Sequence, residues 1–174
     1  MKIGRMIYLF VIVNLGLYGC ASAPLAEMSN RLAVQDTLIA LFMGTDTKNW
    51  TAVQDVFAPK VKFDMTSLTG GSPKELTPSE ITAIWEVGLK DIPIIHHQGG
   101  NYQIRVHGNE ADAHYYGTAF HYRPNMTQKN TRVFVGSYDA HLTRLAGNWK
   151  IDAFRYNSQF VEGNLNLDKE EPLH

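Results

Sequence analysis

The hydrophobic pattern of the chain changes its period near Ile94, and this change limits the possible folds more than any other feature. Before this point apolar residues recur every three or four positions, as in helices; after it they alternate with polar residues, as in strands. The pattern predicts four long strands, over 94–107, 110–123, 131–145 and 148–157. Short loops connect most of these strands, two of them with a glycine that permits a tight turn, so we expect an antiparallel meander.

Three helices are predicted before the sheet. The first covers 30–43, and the second follows it with Asp46 or Thr47 as its N-cap. The third begins at Thr77-Pro78-Ser79-Glu80, where Thr77 and Glu80 have the spacing of a capping box. Helices that precede a continuous antiparallel sheet predict an α+β fold.

The composition excludes several classes of protein. The 174 residues suffice for one domain with a closed core but not for two. Lys and Arg number 16 and Asp and Glu 17, which gives a formal net charge of -1, and no long basic run occurs. Nucleic acid is therefore not an expected partner. Cys20 is the single cysteine of the sequence, so no disulfide forms within the chain.

The first 19 residues have the pattern of an export signal. Lys2 and Arg5 give a positive start, and the apolar stretch 6–17 that follows is too short for a membrane-spanning helix. Two cleavage sites fit the sequence: one directly before Cys20 and one after Ala23.

The segment Leu17-Tyr18-Gly19-Cys20 resembles the cleavage box of bacterial lipoproteins. The resemblance implies that Cys20 is acylated and becomes the first mature residue. Ala21 stands where an aspartate signals retention in the inner membrane, which implies the periplasmic side of the outer membrane. The expected organisation is a signal peptide, a tether, a folded domain and a polar tail that frays from Asp168, over 1–19, 20–29, 30–162 and 163–174.

Residues 30–160 resemble the SnoaL-like group of the NTF2-like superfamily. The matching segments are Asp46 to Trp50, Phe57 to Pro59, His96 to Asn101, Asn109 to Ala111, Gly136 to Tyr138 and Gly147 to Ile151. The resemblance implies a cone, in which a strongly curved antiparallel sheet wraps around three helices. It also implies a pocket for a small, largely apolar molecule, and a homodimer that pairs through the sheets.

The same segments are distantly similar to scytalone dehydratase, whose working set is one aspartate, two histidines, one asparagine and two tyrosines. The resemblance places the aspartate at Asp46 and the histidines at His96 and His121. The other three places hold Thr45, Met65 and Tyr138. Met65 has no hydroxyl with which to hold a water against a substrate carbonyl, so the dehydratase reaction itself is not implied.

An aspartate beside an imidazole fixes the tautomer of the ring and raises its basicity. Asp46 and a strand histidine would then remove a proton next to a carbonyl, while His121 protonates the leaving group. This chemistry is a dehydration or an isomerisation and needs neither a metal nor a nucleotide, so no cofactor is expected.

Two neighbouring histidines, His96 and His97, compete for the inward position. Regular alternation back from Tyr102 turns His96 inward, whereas a bulge at Gly99-Gly100 turns His97 inward. The spacing between His97 and Asn101, which is typical of the SnoaL-like group, favours the second alternative. Adjacent strand residues point to opposite faces, so the pair is not expected to share a zinc ion.

Two interpretations of function stay open. One is a pocket enzyme, a lyase or isomerase, with Asp46 and histidines as catalytic groups and Tyr115, Tyr138 and Asn101 against the ligand. The other is a non-catalytic binding or assembly module on a membrane, in which the histidines are hydrogen-bonded residues of the sheet or lie on a dimer face.

Overall fold

The computed structural model describes residues 19–171, and their side chains from Pro24 onward. Residues 1–18 of the predicted signal peptide and the side chain of Cys20 lie outside this described part. The elements in chain order are α1 (Gly19–Asp46), α2 (Trp50–Asp55), β1 (Phe57–Asp64), α3 (Thr66–Thr69), β2 (Lys74–Leu76), α4 (Pro78–Leu89), β3 (Ile94–His107), β4 (Glu110–Tyr122), β5 (Thr131–Leu145) and β6 (Asn148–Gly163).

The six strands form one curved sheet in the order β2-β1-β6-β5-β4-β3. Strands β3 to β6 are the predicted antiparallel meander, and the predicted bounds of β3 and β5 are confirmed. β6 is longer than predicted and continues to Gly163. The sheet is not wholly antiparallel, because β1 pairs in parallel with β6. The helices pack on the curved sheet, which confirms the α+β cone.

Helix α1 fills the centre of the cone. Its buried face consists of Val34, Leu38, Leu41 and Phe42, as the helical spacing predicts. The helix is longer than the predicted 30–43 at both ends, and the segment predicted as a tether, 20–29, is helical. The helix continues through Gly44 to Asp46. A Cβ at Gly44 would lie 2.9 Å from Val53, so glycine serves the close approach of α1 and α2.

The helix caps follow the sequence pattern at α4 but not at α2. The Oγ1 of Thr77 accepts a bond from the Glu80 N–H, and a Glu80 carboxylate oxygen accepts from the Thr77 N–H at 2.8 Å, which completes the capping box. At α2 the N-cap is Asn49, and the prediction of Asp46 or Thr47 is wrong. Asp46 is still helical and its carboxylate has a different partner. The one-turn helix α3 makes four helices, not three, in the described residues.

The C-terminal segment packs against the end of the sheet, contrary to the expectation that it frays from Asp168. Leu167 is fully buried with Ile92 and Ile95. Asp168 forms an ion pair with Arg132 at 2.7 Å. Apolar burial and ion pairing therefore hold the residues that follow β6 in a fixed position.

Candidate functional site

A cavity of about 710 Å³ opens between α1, α4 and the inner face of the sheet. Its walls are mostly apolar and aromatic, and they include Leu41, Phe42, Phe63, Trp85, Phe134 and Phe154. Thr45, His97, His121 and Arg132 lie at the end where α1 meets the sheet, and a second polar group, Thr66, Thr69, Ser72 and Lys74, lies on the segment from α3 to β2. A concave apolar site with a few convergent polar groups is the usual form of a small-molecule pocket.

Asp46, at the last position of α1, contacts His97 near the start of β3. Carboxylate Oδ1 lies 2.6 Å from the Nδ1 of the ring, and the two carboxylate oxygens accept from the backbone N–H of His97 at 3.1 and 3.0 Å. The ring also stacks on Phe42, with the centroids 4.9 Å apart and the planes 18° from parallel. Both side chains are only 13% exposed. The imidazole is therefore fixed in position and orientation.

The Asp46 contact also fixes the tautomer of His97. A carboxylate only accepts hydrogen bonds, so the proton of the neutral ring lies on Nδ1 and the lone pair on Nε2. Since His97 lines the cavity, this lone pair is the candidate proton acceptor.

His121 lies on the same face of the sheet, on the neighbouring strand. His97 pairs with Ala119, and His121 follows two residues later, so the two histidines are diagonal neighbours on one face of the sheet. His121 is 7% exposed. Burial, followed by the nearby Arg132 cation, lowers the pKa of His121 to about 4. The ring is therefore neutral at neutral pH, and it acts as a hydrogen-bond donor instead of an imidazolium acid.

The choice between His96 and His97 is decided by a bulge in β3. The pairing of β3 with β4 shifts register between Gly100 and Gln103, and Asn101 in this interval has a φ of 55°. The extra residue reverses the alternation, so His97 faces the cavity while His96 lies exposed on the outer face. Asn101 is exposed as well, and neither His96 nor Asn101 reaches the cavity.

The remaining predicted ligand-contacting residues divide into two groups. Thr45, Met65 and Tyr138 line the cavity, whereas Tyr115 does not. Tyr115 is fully buried behind the wall and stacks on Tyr138, with the centroids 5.1 Å apart. The Thr45 hydroxyl donates to the Leu41 carbonyl at 2.9 Å, so that proton is already used within α1.

The cavity residues that sequence reasoning missed include Arg132 and Phe134. Arg132 and Phe134 have the same parity as Tyr138 along β5, so alternation from Tyr138 would have found them. Tyr156, which falls near the end of the predicted last strand and is thus expected at the mouth of the cone, lines the cavity, and its buried hydroxyl has no hydrogen-bond partner among the described residues. Burial raises the pKa values of Tyr138 and Tyr156, which keeps both hydroxyls protonated. Between residues 19 and 171, no cluster of three or more His, Cys, Asp or Glu side chains is arranged to hold a metal.

The fold and the cavity define a small-molecule pocket protein built on an α+β cone. Residues 26–155 match the family model of the SnoaL-like domain, and the chain belongs to that family. No protein of curated function matches the chain by sequence.

Several solved structures are similar in fold. One is the Kfla4162 protein from Kribbella flavida, at 20% identity and a TM-score of 0.76, over 82% of this chain and 98% of that chain. A presumed scytalone dehydratase from Novosphingobium aromaticivorans matches at 14% identity and a TM-score of 0.68, over 83% and 91%. The hexachlorocyclohexane dehydrochlorinase LinA-type3 from Novosphingobium barchaimii matches at 14% and 0.67, over 82% and 94%. At these identities the similarity shows the fold alone.

Proposed function

We propose that the protein is a cofactor-free lyase or isomerase that removes a proton from a small, largely apolar ring compound. The observation that carries the proposal is the 2.6 Å contact between Asp46 and His97 at the wall of a 710 Å³ cavity. An imidazole with its lone pair towards a mostly apolar cavity, and a carboxylate behind it, is the arrangement of a general base.

The reaction begins when Nε2 of His97 takes a proton from the carbon next to a carbonyl. The electron pair of that C–H bond moves towards the carbonyl and forms an enolate, and Asp46 balances the new charge on the imidazolium. In a dehydration, the enolate re-forms the carbonyl, expels a hydroxide, and receives no proton. The imidazolium gives its proton to that hydroxide, so water leaves. In an isomerisation the same proton returns to another carbon.

Two similar structures add support, because their names describe eliminations: a presumed dehydratase and a dehydrochlorinase. The proposal does not extend to their substrates. The residues at the tyrosine places of scytalone dehydratase, Thr45 and Met65, supply no free hydroxyl to the cavity.

A panel of small ring compounds tests the proposal. It consists of cyclic β-hydroxy ketones and cyclic enones with an acidic γ-hydrogen, each followed by ¹H NMR in D₂O for product and for deuterium uptake. We expect turnover or uptake with at least one compound, and its loss in Ala119→Leu, which fills the cavity opposite His97. Thr118→Leu, on the other face of the same strand, is the control and should retain activity.

The second candidate function, a non-catalytic binding module, is favoured because Thr45 uses its hydroxyl proton within α1 and Met65 has no hydroxyl. It predicts that compounds bind, with the same loss in Ala119→Leu, but that neither product nor deuterium uptake is detected. A chain that binds none of the panel contradicts the proposal of a pocket for this compound class.

For the location, we propose a lipid anchor at Cys20 on the periplasmic side of the outer membrane. Support comes from the lipoprotein-like segment Leu17 to Cys20. None of the helices described from Gly19 onward is long and apolar enough to cross a membrane. The test is metabolic labelling with an alkyne fatty acid, followed by separation of the membranes. Label should appear in the outer-membrane fraction and disappear in Cys20→Ser; label that persists in this variant contradicts the proposal.

We also propose a homodimer that pairs through the outer face of the sheet. Support comes from exposed aromatic residues on this face, which include Tyr116 (52% exposed), Phe120 (37%) and Phe160 (51%). Sedimentation velocity should show a dimer for the wild type and a monomer for Phe120→Glu. Val87→Glu, on the exposed side of α4, is the control and should stay dimeric.

A further inference from the structure

Arg132 joins the C-terminal segment to the cavity. Its Nη1 donates to an Asp168 carboxylate oxygen at 2.7 Å and to the Leu165 carbonyl at 3.4 Å. Its Nη2 lies 3.5 Å from the Nδ1 of His121, which is a long hydrogen bond. The side chain of Arg132 is 13% exposed, so these contacts are largely shielded from water.

We propose that Arg132 is a positioning residue that fixes the proton of His121 on Nε2, and that Asp168 holds Arg132 in place. Only the catalytic purpose of this arrangement rests on the proposed function; the assignment of the proton does not. Arg132 lies on β5, directly across from His121 in the register of the sheet, whereas Asp168 folds back from beyond the last strand.

The assignment follows from the donor and acceptor capacity of the groups. A guanidinium has five N–H donors and no acceptor, and it stays charged at any accessible pH. The ring nitrogen next to it must therefore be the unprotonated one. His121 is neutral, so its single ring proton is on the other nitrogen, Nε2.

Phe134 supports this arrangement. The Cζ of Arg132 lies 5.2 Å from the centre of the Phe134 ring, and the His121 ring lies 4.9 Å from the same ring. The aromatic ring therefore contacts both partners and restricts their movement. The charged or titratable groups that act on His121 are Arg132, His97, Asp46 and Asp168, and the two acids each have a closer partner of their own.

The consequence is that the two cavity histidines have opposite roles. His97 has a lone pair on Nε2, because its Nδ1 carries the proton and donates to Asp46. His121 has an N–H on Nε2, because its Nδ1 is unprotonated and accepts from Arg132. A compound that fits both has an acidic C–H next to a carbonyl oxygen: His97 takes the proton and His121 donates a hydrogen bond to the oxygen as it gains charge. The site therefore selects enolisable carbonyl compounds.

Long-range ¹H–¹⁵N correlation spectra of the histidine rings in the full-length protein test the proposal, because they report which ring nitrogen carries the proton. At neutral pH we expect His121 in the wild type with its proton on Nε2 alone, and the same in Arg132→Lys, which keeps a charged donor. In Arg132→Leu we expect a mixture of both tautomers and a rise of at least about one unit in the pKa of His121, which is a tenfold change in proton affinity.

Arg123→Leu is the matched control. Arg123 also holds the C-terminal segment, through a hydrogen bond from Nη1 to the Leu167 carbonyl at 3.1 Å, but among the described residues it makes no hydrogen bond to His121. If it changes the spectrum of His121 as Arg132→Leu does, the effect belongs to the segment as a whole and the proposal is wrong. A wild-type His121 protonated on Nδ1 overturns it directly, even if the leucine variant does not fold. These measurements need no substrate, so they test the assignment of the His121 proton independently of the proposed catalytic function.

Discussion

Asp46 and His97 are 51 positions apart in the sequence, yet the carboxylate accepts both the ring N–H and the backbone N–H of the histidine. The contact ties the end of α1 to the start of β3, and it lies where the cavity reaches its polar end. One carboxylate thus positions a strand and orients a side chain on that strand.

Replacement of Asp46 should reduce the turnover rate strongly while leaving the fold intact. In Asp46→Asn the site loses the charge that stabilises an imidazolium, and the ring is free to adopt the other tautomer. We expect turnover of an identified substrate to fall by about 10²-fold to 10⁴-fold, while the protein stays folded by circular dichroism.

Asp139→Asn is the matched control for this variant. Asp139 contacts the Nδ1 of His114 at 2.7 Å, so the pair has the same chemistry but is exposed and lies away from the cavity. The turnover of Asp139→Asn should remain near that of the wild type. An equal loss in both variants would mean that Asp46 acts through general stability.

Acid should destabilise the protein through His121. The pKa of this buried ring is lowered to about 4, whereas in the unfolded chain it returns to about 6.5. Between these values the unfolded state binds a proton that the folded state does not. The contribution of His121 to the free energy of unfolding is therefore fully present above about pH 6.5 and is lost as the pH falls towards 4. The total loss should be about 3 kcal/mol.

Urea unfolding at pH 7, 6, 5 and 4 measures this loss. The variant His121→Phe should flatten the dependence in this window, whereas His107→Gln, at an exposed position, should not. An unchanged slope in His121→Phe would assign the acid sensitivity to other groups.

Two glycines on neighbouring strands should respond differently to alanine. A Cβ at Gly117 would lie 2.3 Å from the Tyr138 ring, so Gly117→Ala must displace a wall of the cavity. A Cβ at Gly100 would meet nothing within 4 Å. We expect Gly117→Ala to cost about 1–3 kcal/mol in the free energy of unfolding, and Gly100→Ala less than about 1 kcal/mol. Thermal denaturation of both variants measures the difference, and equal losses would mean that Tyr138 moves freely.

Two leucines test whether the C-terminal segment is part of the fold. Leu167 is fully buried, whereas Leu165 is 62% exposed. Leu167→Ala should lower the free energy of unfolding by about 2–5 kcal/mol, and Leu165→Ala should stay within about 0.5 kcal/mol. Chemical denaturation distinguishes them. A Leu167→Ala variant as stable as the wild type would mean that the segment after β6 adds nothing to the stability of the fold.

The sequence was sufficient for most of the fold because the information there is local and periodic. Alternation located β3 and β5 to the residue, and the capping box located the start of α4. The sequence was insufficient where one residue fits two alternative hydrogen-bonding roles. Asp46 could have capped α2, but its carboxylate binds His97, and Asn49 caps the helix instead.

The site was predicted in part. Asp46, His97 and His121 meet at one end of the cavity, but the choice of His97 over His96 depended on a bulge that two glycines only suggested. Alternation along β5 reaches Arg132, but its contact with Asp168 could not be predicted, because a contact between a strand and a segment 36 residues later leaves no mark on the local pattern.

The central claim is that His97, and not the neighbouring His96, removes the proton. It is tested most directly by the rate of deuterium uptake from D₂O into a compound that the protein turns over, measured for the wild type, His97→Gln and His96→Gln. We expect His97→Gln to lower the rate by about 10²-fold or more and His96→Gln to leave it unchanged. Equal rates in the wild type and His97→Gln would contradict the account.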